Sequence, residues 1–225
     1  MPTSDPDALP RRPAAPKRQR GALRALNAGE FQDEEHWTGR LIEGHDLQNT
    51  ALNAAAFQGC VFRGVSLRSA HWRGVRLTDV QFEDCDLSGA LREEASLTRV
   101  TFSNCRLMGL RLPEARLRDV LVSGSQAALS FWFRADARHL WLDHCDLTEA
   151  SFQEARLPGA VFRGCRLSRS DFQGALLEDA DLRGSDLHGT RLGLREVAGV
   201  TVEPVQLLVL SSLLGVHVRA LDLDQ

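Results

Sequence analysis

The chain has 225 residues, 43% of them apolar, and a formal charge of −3. No apolar run in it is long enough to span a bilayer, so we expect a cytoplasmic protein without a membrane segment. The charge is unevenly spread: residues 1–28 hold six basic and two acidic side chains, whereas residues 29–225 hold 21 Arg against 28 Asp and Glu. A body this acidic argues against direct nucleic-acid binding, which needs clustered positive charge.

Residues 1–20 contain five prolines and no apolar run. That is not a secretory signal, and with little to bury the segment is expected to be a disordered basic tail, ending near residue 28. In residues 21–36, Leu23, Leu26 and Phe31 allow a short helix or turn. Such a segment would cover the first open edge of the periodic region that begins at Trp37.

From Trp37 to Val202 every fifth residue is a large apolar one, with almost no interruption. Of 34 such positions, 33 are apolar if Ala counts, and Arg92 is the exception. Two places before each of these, from Arg40 to Val200, 28 of 33 positions hold Ala, Cys, Ser, Thr or Val. Two places after them fall 14 of the 18 glycines, where a turn would use their tolerance of positive φ. A period of five fits neither the 3.6 of a helix nor the 2 of a flat strand, and an unbroken repeat marks a solenoid. The five cysteines all occupy the small inward position. They read as small core side chains, not as metal ligands, which must converge, and their odd number argues against disulfides.

The phase weakens twice. At 91–95 (LREEA), Leu91 is expected to replace Arg92 in the core, leaving the guanidinium outside with Glu93 and Glu94. At 121–141 the core positions thin to Val122, Ala127 and Ala137, while Leu121, Leu129, Phe131, Phe133 and Trp141 point outward. Either the aromatics form a contact surface or the coil distorts and they refill the core.

Residues 203–225 leave the period. Pro204 suits a first helical position and Gly215 a helix stop. Val205, Leu208, Leu210, Leu213 and Leu214 form an apolar face. This helix would plug the last coil and offer a two-fold dimer contact, with a short strand at 216–218 after it.

The repeat resembles the pentapeptide-repeat family, A-[D/N]-L-x-x in tandem, over about three quarters of the chain. The resemblance implies an all-β solenoid: a right-handed quadrilateral β-helix with four pentapeptides per turn, here followed by a short C-terminal α-helix. At ~4.8 Å per coil the rod would be roughly 40 Å long. The domain layout is then a tail at 1–28, the capped β-helix at 29–202 and a closing, dimerising element at 203–225. No phosphate loop, H-E-x-x-H or G-x-S-x-G is present. His139, His144 and Cys145, though near in sequence, should diverge around the coil. No cofactor, metal or catalytic activity is expected.

The quinolone-resistance members of that family bind DNA gyrase or topoisomerase IV as imitations of duplex DNA. The resemblance therefore implies a type II topoisomerase as partner, inhibited or protected from poisons. The acidic clusters that would serve are Asp79, Glu83, Asp84, Asp86, Glu93 and Glu94, and Asp171, Glu178, Asp179, Asp181 and Asp186. Against uniform mimicry stands a basic middle at Arg99, Arg106, Arg111, Arg116 and Arg118. An alternative is a protein-interaction scaffold using Phe131, Phe133 and Trp141. A third, ranked below both, is nucleic-acid contact through residues 11–24.

Overall fold

The structure is a computed structural model that describes residues 11–17 and 23–211. The period of five becomes one side of a square coil, because every fifth residue turns the chain through a positive φ. All fourteen glycines at that position have φ between 57° and 79°, and 19 non-glycine residues adopt the same conformation. Between turns the apolar residue points in and its neighbours point out, so the core is a stack of side chains and the pairing is wholly parallel.

The strands are β1 (Arg24–Ala25), β2 (His36–Thr38), β3 (Arg40–Glu43), β4 (Ala51–Asn53), β5 (Ala56–Gln58), β6 (Val61–Arg63) and β7 (His71–Arg73). Four longer ones follow, β8 (Arg76–Glu83), β9 (Ser96–Ser103), β10 (Arg116–Ser123) and β11 (Asp136–Asp143), then β12 (Val161–Arg163). From β2 onward each paired residue meets the one 20 positions on, as in Val80↔Val100 and Val100↔Val120. Single bridges continue the stack as far as Asp181↔Thr201. The long strands pass through a corner at residues 79, 99, 119 and 139, all with positive φ. The fold is therefore a parallel β-solenoid with one short C-terminal helix, α1 (Pro204–Leu210).

Like side chains stack along the core: Phe62, Phe82 and Phe102 lie 4.7 and 4.8 Å apart between ring centroids. At 121–141 the distorted alternative does not hold. The coil is regular, with Val122, Ala127, Trp132 and Ala137 all buried. The Trp132 indole takes up the room that two flanking alanines leave, and its N–H donates to Ser130 Oγ (2.8 Å). At 91–95 the expectation is overturned. Arg92 itself enters the core, 1% exposed, its guanidinium 4.3 Å from the Trp72 ring centroid. Glu93 and Glu94 lie against Arg73 instead. The strict register explains this, since swinging Leu91 inward would break its bridges to His71 and Arg111.

Both described ends are closed. β1 pairs with β3, Leu26 is buried, and Phe31 packs on Trp37 and Phe57. At the other end α1 plugs the last coil with a polar side chain. Gln206 is buried, and its amide donates to the carbonyls of Leu182 (2.8 Å) and Ser185 (2.7 Å). The Ser185 carbonyl is a backbone acceptor that a further coil would otherwise satisfy.

Part of the basic tail has a defined place. Residues 11–17 run along the corner of the long strands as a strap. The Ala14 N–H donates to Asp119 (3.0 Å) and the Lys17 N–H to Asp79 (2.8 Å). The Arg12 guanidinium lies 5.8 Å from the Trp141 ring centroid. The expectation of disorder overlooked these carboxylates, which give an extended segment backbone partners without any apolar burial.

Candidate partner-binding surfaces

The square coil sorts outward residues by their position in a 20-residue turn, so groups adjacent in sequence separate and distant ones meet. The corner column Asp79, Arg99, Asp119, His139 alternates acidic and basic side chains. Arg99 grips Asp79 through Nε to Oδ1 (2.6 Å) and Nη2 to Oδ2 (2.8 Å). His139 Nδ1 lies 3.2 Å from Asp119. The Arg99 guanidinium beside it holds the Asp79 carboxyl below the usual carboxylate range.

The eleven acidic candidates do not form two continuous patches. Asp79 is 7% exposed and Asp181 5%, and their carboxylates are engaged by Arg99 and Arg183. Glu83 pairs with Arg63 and Asp171 with Arg191, while Glu93 and Glu94 meet Arg73. Asp84, Asp86, Glu178, Asp179 and Asp186 have no ion pair among the described residues. Asp186 instead accepts from Ser168 Oγ (2.6 Å) and the His188 N–H (3.0 Å), bonds that lower its pKa.

The three aromatic candidates are not one patch. Ten residues make half a turn, so Phe131 and Trp141 lie on opposite sides of the rod. Phe131 and Phe133 sit together (centroids 5.8 Å apart), flanked by Arg111 and Arg134. Trp141 is 9% exposed, between Leu121 and Val161 in register and beneath Arg12.

On α1 the exposed large apolar residues are Val205, Leu207, Leu208 and Val209. Of these, Leu207 borders an apolar hollow of about 420 Å³, lined also by Leu194, Val197, Val200, Val202 and Leu210. Of the five dimerisation candidates, Val205 and Leu208 are exposed and Leu210 packs partly against the core. Leu213, Leu214 and the strand expected at 216–218 lie outside the described residues.

The expected basic middle also separates. Arg99 is at the corner, Arg106 on one side, and Arg111 over Phe131. The fold gathers a different set. Arg76, Arg116 and Arg156 occupy one column, and Arg118 and Arg138 the next, on the same side of the rod. All five are exposed. The signal was visible as the spacing of forty between Arg76, Arg116 and Arg156, but reading charges by proximity in sequence hides it.

The thiols are all buried, and burial pushes the Cys60 thiol above its ordinary pKa. Among the described residues no group of His, Cys, Asp or Glu is placed to hold a metal ion. No described helix is long and apolar enough to cross a membrane.

Three family models match the chain: a pentapeptide repeat region over residues 75–142, eight-copy pentapeptide repeats over 133–169 and 160–193, and nine-copy pentapeptide repeats over 48–91. No curated protein matches it. Solved structures similar to it include HetL, a pentapeptide repeat protein involved in heterocyst differentiation regulation from the cyanobacterium Nostoc sp. strain PCC 7120. It is 22% identical, covering 76% of this chain and 90% of that one at a TM-score of 0.34. Another is full-length QnrB1, a plasmid-mediated fluoroquinolone resistance protein, 19% identical over 81% and 99% at 0.39. A third, from the Arabidopsis thaliana thylakoid lumen, is 18% identical over 76% and 74% at 0.29.

Proposed function

The chain belongs to the pentapeptide-repeat family, and from that premise we propose that it is a non-catalytic rod that binds a type II DNA topoisomerase, DNA gyrase, in the place of duplex DNA. It acts as a two-fold dimer joined at α1 and either inhibits the enzyme or shields it from poisons. The observation that supports this most is at the C-terminal end. There, Glu178, Asp179 and Asp186, in the last coils before α1, are exposed and without an ion pair among the described residues. Two copies meeting at α1 would place their negative coils on either side of one apolar joint, which the hollow beside Leu207 and Leu210 would help to fill.

Binding of purified gyrase to the immobilised protein tests the reading. Micromolar or tighter binding is expected, weakened about tenfold when Glu178→Gln and Asp179→Asn are combined, since exposed charge steers such complexes. Absence of binding by the folded chain overturns it. The Phe131–Phe133 pair favours a second reading, a scaffold for another protein. That reading predicts a partner lost with Phe131→Ser and Phe133→Ser while the acidic variants retain it.

A further inference from the structure

We infer that the side of the rod bearing Arg76, Arg116, Arg118, Arg138 and Arg156 is a contact surface for the phosphodiester backbone of DNA. The composition argued against nucleic acid because the whole body is acidic, but the fold concentrates positive charge on this one side. Strands β8, β10 and β11 carry four of them in a parallel sheet, and Arg156 continues the column through a single bridge to Asp136. Arg76, Arg116 and Arg156 are two coils apart in one column, and Arg118 and Arg138 are adjacent in the next. With ~4.8 Å per coil the five guanidiniums span roughly 19 Å along the rod. None of them is in an ion pair among the described residues. One carboxylate, Asp136, stands in their column.

The groups between them suit phosphate. Ser96 and Thr98 lie alongside Arg116 and Arg118 and line a shallow depression of about 290 Å³, and hydroxyls join arginine in contacting phosphate oxygens. The strap adds to the same edge. Its bonds to Asp79 and Asp119 hold it along the corner next to Thr78, Arg118 and Arg138, with Arg11, Arg12 and Lys17 exposed. An acidic protein fits less well. Protein interfaces draw their energy from buried apolar and aromatic anchors, and between Arg76 and Arg156 the apolar residues Leu77, Leu97, Leu117 and Ala137 all face the core. A phosphate backbone needs no such anchor, because its binding is driven by counterion release. With no element shaped to enter a groove, the contact reads no base sequence.

The test uses the full chain and a fluorescent duplex of arbitrary sequence, without any topoisomerase, so it stands or falls apart from the gyrase reading. At about 50 mM salt we expect micromolar binding, with log K falling against log salt at a slope of about −4 to −5, one unit per phosphate neutralised. Arg116→Gln with Arg118→Gln should lower the slope by about 2 and weaken binding at least tenfold, while Arg106→Gln on the opposite side changes neither. Removing residues 1–20 should weaken binding without abolishing it. The inference is overturned if the folded chain binds no DNA at that salt. It is equally overturned if the double variant binds as tightly as the parent, if deletion of the tail alone abolishes binding, or if polyglutamate binds as tightly as the duplex.

Discussion

Arg92 and Trp72 are one coil apart, and the guanidinium of the first stacks on the indole of the second at 4.3 Å from the ring centroid. This is an arginine in the middle of a hydrocarbon stack, and none of its three nitrogens has a hydrogen-bond partner. The ring face attracts the cation, but not enough to replace the water it has lost, and burial drives its pKa down to about 9. Arg92→Met keeps the length without the charge and should stabilise the fold by about 1–4 kcal/mol, as apolar replacement of buried ions often does. The gain should depend on pH. Below 9 both folded and unfolded chains are protonated and the penalty is constant. From about 9 up to the ordinary arginine value, the unfolded chain holds more protons, so the parent gains stability as pH rises. Denaturant melts of parent and variant should therefore differ most at neutral pH and converge above 9.

Leu129 turns a corner at φ 59° while 55% exposed, a conformation that a branched side chain resists. Leu129→Gly should add about 1 kcal/mol of stability, because little packing is lost and the backbone cost disappears. Gly64 makes the reverse case. A Cβ there would meet nothing within 4 Å, so Gly64→Ala should cost about 1 kcal/mol through its φ of 57° alone. Thermal melts of the two variants should move in opposite directions.

The strap hangs on two carboxylates, and Asp79 is the one whose pKa the bond from Arg99 depresses. A depressed carboxyl contributes stability at pH values above its unfolded pKa and loses it as pH falls through the folded one. Acid should therefore release residues 11–17 before the coils melt. Asp79→Asn should do the same at neutral pH, leaving Arg99 without its partner at a cost of about 1–3 kcal/mol. Tryptic cleavage after Lys17, timed by mass spectrometry, should quicken in the variant while the coils stay intact.

The five cysteines line the inside of the rod, where Cys85, Cys105, Cys145 and Cys165 donate to carbonyls one coil back. All five are buried, and a buried structural thiol is inert because a reagent cannot reach it. A disulfide-exchange reagent at mild alkaline pH should label none of the five in the folded chain and all of them in denaturant. Rapid labelling of any one in the native state would contradict the packing.

The coil was legible because a period of five over 34 core positions has one geometric solution, and the same period placed the turns, the inward cysteines and the last coil. What was not legible depended on register across coils. The phase showed that position 92 faces inward, yet by local chemistry alone burying a lone guanidinium is worse than displacing Leu91. The bridges from Leu91 to both neighbouring coils decided otherwise. Likewise Asp79 and Asp181 read as surface charge until the fold set arginines against them. Phe131 and Trp141 read as one patch although half a turn divides them. The strap's docking rests on backbone N–H groups, which no side-chain pattern announces.

Binding to gyrase is tested by supercoiling of relaxed plasmid by the purified enzyme, with the chain titrated in, with and without a fluoroquinolone. Inhibition, or rescue from the drug, is expected at micromolar concentration or below, with the effect shifted to higher concentration by Glu178→Gln and Asp179→Asn together. Unchanged supercoiling in both conditions up to tens of micromolar, with enzyme from the same source and the chain shown to be folded, would contradict it.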